Sequence, residues 1–350
     1  MLVNEKKNNI YIKELDALRF VAILFVIVNH LGIKGDLYTW VTVVHSTSPV
    51  MACISSYLLF RSIHHPLEIG SKLKSRLRSL ILPYFLWTLI SFVIFQAVRT
   101  YGYFSNSNIL GLKKWAPDWS FLNYWNNFVI IPNPSAFWYL QNVILILPFC
   151  FIIYFLLKPK WSLLFILPII LIAFDHHSIP YFSVRFLPYY IFGAWLGIHY
   201  PTQPPVMDWD RYSLLIILIL LLVLNESVSD SFGVFKLVVE FCLQVGIFIV
   251  GLSVVRLFRN TLVVEYFYNK MHLSFYLHAS HMLVIGIIGT VIVATLNYLN
   301  ISVFGNIYFR VVCPFVVLLG TYRCIELLAD QMMRKTPIIF SALSGGRHSQ

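Results

Sequence analysis

The most constraining feature of this chain is its succession of long apolar stretches, such as "YSLLIILILLLVLN" at 212–225. A helix that crosses a hydrocarbon core needs about 20 mostly apolar residues. Ten stretches approach that length: 15–33, 41–60, 80–98, 136–157, 161–175, 182–199, 212–225, 235–255, 273–297 and 307–328. Composition excludes a water-soluble alternative. The chain is 59% hydrophobic and 12% charged, whereas soluble domains carry about 25% charged residues. The expected fold is therefore an all-α integral membrane protein of about ten transmembrane helices, with the lipid bilayer as its solvent. The stretch at 212–225 is apolar enough to face lipid. The second stretch, "VTVVHSTSPVMACISSYLLF", is half polar and is expected to line the protein interior.

Basic residues set the orientation. With the N-terminus inside, Lys72, Lys74, Arg76 and Arg78, the pair Arg256 and Arg259, and Arg334 with Lys335 all fall on cytoplasmic segments. That bias predicts both termini in the cytoplasm. It also accounts for the net charge of +11 without nucleic acid, for which no soluble domain is available. The first apolar run follows Lys6, Lys7 and Lys13 but has no small-x-small cleavage site after His30, so it reads as a retained helix. The five cysteines show no CxxC spacing and read as buried small apolar residues. Neither these nor the adjacent pairs His64–His65 and His176–His177 suggest a metal site. One long outer segment, about 99–135, carries Trp115, Trp119, Tyr124 and Trp125, either as an interfacial belt or as a stacking platform for sugar rings. The expected layout is an N-terminal tail at 1–12, a membrane domain at 13–331 and a C-terminal tail at 332–350, disordered after Pro337.

The first stretch, "LDALRFVAILFVIVNH" (15–30), is apolar yet holds Asp16, Arg19 and His30. Eleven residues advance a helix by three turns plus about 20° and about 16 Å. Arg19 and His30 thus share one face at opposite membrane depths, and Asp16 sits one turn from Arg19, where it can pair with it. The three could be interfacial anchors. They could also be the two ends of a passage, a cation inside and a proton acceptor outside.

This stretch resembles the opening signature of membrane acyltransferase family 3, an arginine followed after ten residues by a histidine. Further blocks resemble that family in order: "SPVMACISSYLLF" (48–60), "RLRSLILPYFLW" (76–87), "FWYLQNVILIL" (137–147), "FLPYYIFGAWLG" (186–197), "SFYLHASHMLV" (274–284) and "YRCIELLADQ" (322–331). The chain departs from the family at Ser56, where a glycine is expected, and in the spacing of Arg76 and Arg78. His278 and His281 both compete for the family's late histidine.

The resemblance implies an integral-membrane O-acyltransferase of the bacterial cytoplasmic membrane. It would move an acyl group, usually acetyl, from cytoplasmic acyl-coenzyme A to a hydroxyl of an extracytoplasmic polysaccharide or lipid-linked sugar. No permanently bound cofactor is implied; acetyl-CoA or another acyl-CoA is a co-substrate. Lys74, Arg76 and Arg78 are then candidates for the donor phosphates. Arg19 would contact the donor or orient its reacting end through charge, Asp16 would hold Arg19, and His30 would be general base or transient acyl carrier. His45, Ser55, Ser56, Trp138, Tyr139, His278 and His281 are candidates for the substrate passage. Glu240 and Glu326 read as structural partners for Arg185 and Arg323. A polysaccharide exporter would share the helices and the aromatic segment but would not need Arg19 and His30 beside a basic cluster. Glycan-synthesis or export machinery is a possible partner of either.

Overall fold

The computed structural model describes residues 13–30, 47–105, 117–130, 137–175, 182–202, 211–228, 233–298 and 307–346. Every regular element among them is helical. In chain order the helices are α1 (Lys13–His30), α2 (Thr47–Phe60), α3 (Glu68–Ser105), the short α4 (Phe121–Tyr124), α5 (Trp138–Ile146), α6 (Cys150–Leu157), α7 (Ile166–Asp175) and α8 (Leu187–His199). They continue with α9 (Arg211–Ser227), α10 (Val234–Leu257), α11 (Leu262–Asn269), α12 (Ser274–Tyr298), α13 (Ile307–Lys335) and α14 (Pro337–Ser344). Among the described residues three helical segments are long and apolar enough to cross a membrane: Glu68–Tyr101, Trp138–Leu157 and Val234–Leu257. In the second, Pro148 forces a turn of 3-10 helix over Leu147–Phe149, so that α5 and α6 form one interrupted rod. The outward face of α9 carries exposed Ile216, Leu220 and Val223, as a helix in lipid requires.

Helix α1 packs against α2, α10, α11, α12 and α13. Its residues Leu15, Phe20, Ile23 and Ile27 are almost fully buried. Helices α2 and α8 approach each other backbone to backbone. A Cβ on Gly193 would lie 2.2 Å from the Cys53 carbonyl oxygen and 2.2 Å from Ser56 Oγ, and one on Gly197 would lie 2.7 Å from the Tyr57 carbonyl oxygen. "GAWLG" (193–197) is thus a small-xxx-small seam. In lipid there is no hydrophobic drive between helices, so such close contact supplies the attraction. It also explains why the half-polar α2 lies inside: it is clamped to α8 while Ser55 and Met51 face inward.

Two expectations require correction. The third stretch, expected at 80–98, is part of the 38-residue α3; Pro83 lies inside that helix, and the basic segment 72–78 is a helical extension of the span. The chain after Pro337 is ordered through Gly346, with Phe340 and Leu343 of α14 buried in the core. These facts are linked. Proline at 83 has no N–H for the carbonyl of Ser79 one turn earlier. Gly345, at φ 72°, comes so near that oxygen that a Cβ would lie 2.4 Å from it. Trp87 Nε1 donates to the Leu343 carbonyl at 3.0 Å, and Tyr276 packs on both Trp87 and Phe340. The proline in α3 thus opens a place on the helix where the tail docks. A third correction concerns the cysteines: Cys53 and Cys150 are buried, but Cys242 and Cys324 lie on exposed helix faces.

The aromatic segment around 117–130 folds back on α3. Asp118 N–H donates to Gln96 Oε1, and Ser120 Oγ caps α4 by accepting from Asn123 N–H. Trp125 stacks between Phe85 and Phe121, at centroid distances of 6.4 and 6.1 Å. Trp119 and Phe121 remain exposed; Trp115 lies outside the described residues.

Candidate active site

Two cavities meet inside the bundle. The smaller, of about 60 Å³, is bordered by Arg19, Ser55, Arg76, Tyr139, Tyr190 and His278. It has room for about four waters. The larger, of about 360 Å³, is bordered by His30, Trp138, Arg185, Glu240 and Gln244 and again by Tyr139 and His278. One tyrosine and one histidine therefore form the partition. Tyr139 is 6% exposed and His278 likewise.

Asp16 holds Arg19 as the helical phase predicts, with Oδ1 to Nη2 at 2.7 Å. Both side chains are nearly buried, and Arg19 Nε finds no hydrogen-bond partner among the described residues. Arg76 enters the same cavity from α3. Two guanidiniums facing one carboxylate leave the small cavity net positive, a setting that calls for an anion. The basic cluster on α3 is split by its own helix. Residues two apart lie about 200° around the axis from one another, so Lys74 and Arg78 point away from Arg76 into a separate groove between α3 and α14.

The partition is held from α2. Tyr139 Oη donates to the Met51 carbonyl at 2.9 Å and shares a 2.5 Å hydrogen bond with Ser55 Oγ. The His278 ring lies edge-on to Tyr139 at 5.6 Å. A line of imidazoles continues from the partition to His30, with His278 to His281 at 5.8 Å and His281 to His30 at 5.2 Å between centroids. His30, about three turns along α1 from Arg19, thus reaches the large cavity while Arg19 reaches the small one.

The expected site residues divide accordingly. Ser55 borders the small cavity. Ser56 is fully buried, donates to the Ala52 carbonyl and packs on Gly193, so it serves the α2–α8 seam. Trp138 borders the large cavity, and His281 is sealed behind the partition at 0% exposure. His45 lies outside the described residues. Glu326 pairs with Arg323 at 2.6 Å and with Lys270 at 2.7 Å, as structural partners do. Glu240 and Arg185 both border the large cavity. Gln244, one turn from Glu240, was not singled out in the sequence, although two polar residues spaced by four in an apolar helix are a readable sign of a wet face.

The family model described as an acyltransferase domain, acyltransferase family 3, matches residues 12–324, nearly the whole chain. The chain belongs to this family. It is an acyltransferase built of membrane helices. No curated protein and no solved structure gives a match. Within the acyltransferase domain the matched region contains both cavities, the partition, and the line of histidines. The docked helix α14 lies beyond it.

Proposed function

We propose that this acyltransferase moves an acetyl group from acetyl-CoA in the cytoplasm to a hydroxyl of an extracytoplasmic polysaccharide or lipid-linked sugar, as a multi-pass protein of the bacterial cytoplasmic membrane with about ten spans and both termini inside. The observation that carries this reading is the pair of cavities sharing Tyr139 and His278, with Arg19 and Arg76 on one side and His30 on the other. A phosphate-bearing donor suits the cationic side, since arginine grips phosphate through a bidentate fork. The small cavity must widen to admit a thioester, so side chains at its mouth move on binding. On the other side, His30 acts as general base on the acceptor hydroxyl. Trp138 offers an aromatic face, and Glu240, Gln244 and Arg185 offer the hydrogen-bonding groups with which a hydroxyl-rich ring is held. Carriage of intact glycan through the same space is disfavoured by the partition, which closes it.

The test uses membrane vesicles carrying the protein, given labelled acetyl-CoA on the cytoplasmic face. Label should appear in the glycan fraction, and His30→Ala should abolish it with the protein still folded and present. Export of unlabelled glycan with no acyl transfer would sink the reading. Glycan O-acyl content compared between cells with and without the protein gives the same answer in vivo.

A further inference from the structure

We infer that the proton lost by the acceptor hydroxyl crosses the partition through His30, His281 and His278 and ends on the departing thiolate. This rests on the acyl-CoA reading above. The reaction itself demands a route. As the hydroxyl oxygen forms its bond to the acyl carbon, it gives up a proton; as the carbon–sulfur bond breaks, its electron pair stays on sulfur, which takes a proton to leave as thiol. Base and leaving group approach from different cavities. His30 borders only the larger one among the described residues, so a second group must serve the sulfur. His278 is the titratable imidazole that borders both.

His281 joins them. Its ring lies 5.2 Å from that of His30 and 5.8 Å from that of His278. Its Nδ1 lies 2.7 Å from the His278 carbonyl and 3.2 Å from the Leu277 carbonyl. Carbonyls only accept, so Nδ1 carries the hydrogen and Nε2 presents the lone pair. Nε2 has no hydrogen-bond partner among the described residues, and the side chain is 0% exposed. A buried nitrogen held ready to accept, without a resident donor, is costly to keep in a merely structural role. Here it takes up the proton from His30 and hands it on from the same atom, while Nδ1–H stays on its carbonyls. Arg19, Arg76, Asp16, Tyr139 and Tyr190 face the inner end; Glu240 and Arg185 face the outer end. The two arginines favour the thiolate until the proton arrives. His278 is thereby a catalytic residue that meets the donor sulfur, and His281 is a positioning and relay residue behind it.

The experiment measures acetyl transfer from labelled acetyl-CoA to vesicle glycan by the full-length protein. His278→Asn should lower kcat by about 100-fold, the span of a lost acid–base group, with the KM for acetyl-CoA changed by less than about threefold. His281→Gly should lower kcat while leaving KM unchanged, and added imidazole should restore part of the rate by entering the vacated space; a packing role predicts no such rescue. Thermal unfolding of each variant checks that it is folded, and His278→Gln provides a second variant if the first is not. His278→Asn with kcat within about threefold of wild type, or His281→Gly without rescue, overturns the relay while leaving the acyltransferase reading intact. Wild-type protein that labels no glycan overturns both.

Discussion

Replacing Gly193 by alanine tests the packing on which the site depends. The added methyl would sit 2.2 Å from the Cys53 carbonyl oxygen, 2.2 Å from Ser56 Oγ and 2.7 Å from Cys53 Cα, against an ordinary contact of 3.4 Å or more. Two of these atoms are backbone, so no rotamer change relieves the clash. Helices α2 and α8 must part by roughly 1 Å, and overpacking of this kind costs about 1–3 kcal/mol. At about 2 kcal/mol the folded-to-unfolded ratio falls by roughly 30-fold. The functional effect is separate and larger. Helix α2 carries Met51 and Ser55, which hold Tyr139 in the partition. A 1 Å misplacement of a reacting group can cost about 100-fold in rate. The assay is thermal unfolding in detergent beside acetyl transfer in vesicles, with internal controls. Gly197→Ala, 2.7 Å from a carbonyl, should follow Gly193→Ala; Gly246→Ala meets a flexible Leu221 methyl at 3.3 Å and should cost little; Gly320→Ala, 3.8 Å from Ile288, should be neutral. If Gly193→Ala unfolds and turns over like Gly320→Ala, the α2–α8 seam does not position the site and the reasoning fails.

Other outcomes follow from the same geometry. Tyr139→Phe keeps the ring but deprives the Met51 carbonyl and Ser55 of their partner, and should cost about 1–3 kcal/mol in thermal or denaturant stability, together with a fall in kcat. Arg76→Gln should raise the KM for acetyl-CoA at least tenfold, about 1.4 kcal/mol, while Arg78→Gln, which faces the other groove, should change it much less; equal effects would contradict the split of the basic cluster. Trp87→Phe removes the hydrogen bond to the Leu343 carbonyl, so hydrogen exchange at 337–346 should quicken while exchange in α1 stays as it was.

The sequence made the helical membrane architecture legible because apolar stretches of spanning length have few other homes. It also made the Asp16–Arg19 pair and the opposed ends of α1 legible, since helical phase and rise are fixed by backbone geometry. Which polar residues share a cavity was harder. Lys74, Arg76 and Arg78 look like one cluster in the sequence, yet the turn per residue sends Arg76 one way and its neighbours the other. Ser55 and Ser56 are adjacent and divide likewise, one at the cavity and one at the seam. Ser56 stands where the sequence resemblance led to an expectation of glycine, and Gly193 across the seam leaves it room. That exchange joins residues 137 positions apart and could not be read from either segment alone. The tail was misread because "PIIFSALS" is short and its stability comes from Trp87, Tyr276 and the carbonyl freed by Pro83, none of them local.

The partition also has an electrical side. In the proposed orientation, water entering the two cavities carries each bath's potential inward as far as Tyr139 and His278. The voltage that elsewhere drops over some 30 Å of hydrocarbon would then fall across a few side chains. Each elementary charge moved through the full drop exchanges about 2.3 kcal/mol per 100 mV. A proton stepping from His30 toward His278 would do so down or up that gradient, depending on its sign. Turnover would then respond to membrane potential with no dedicated voltage sensor. The same thin barrier, if opened at both ends together, would short the membrane.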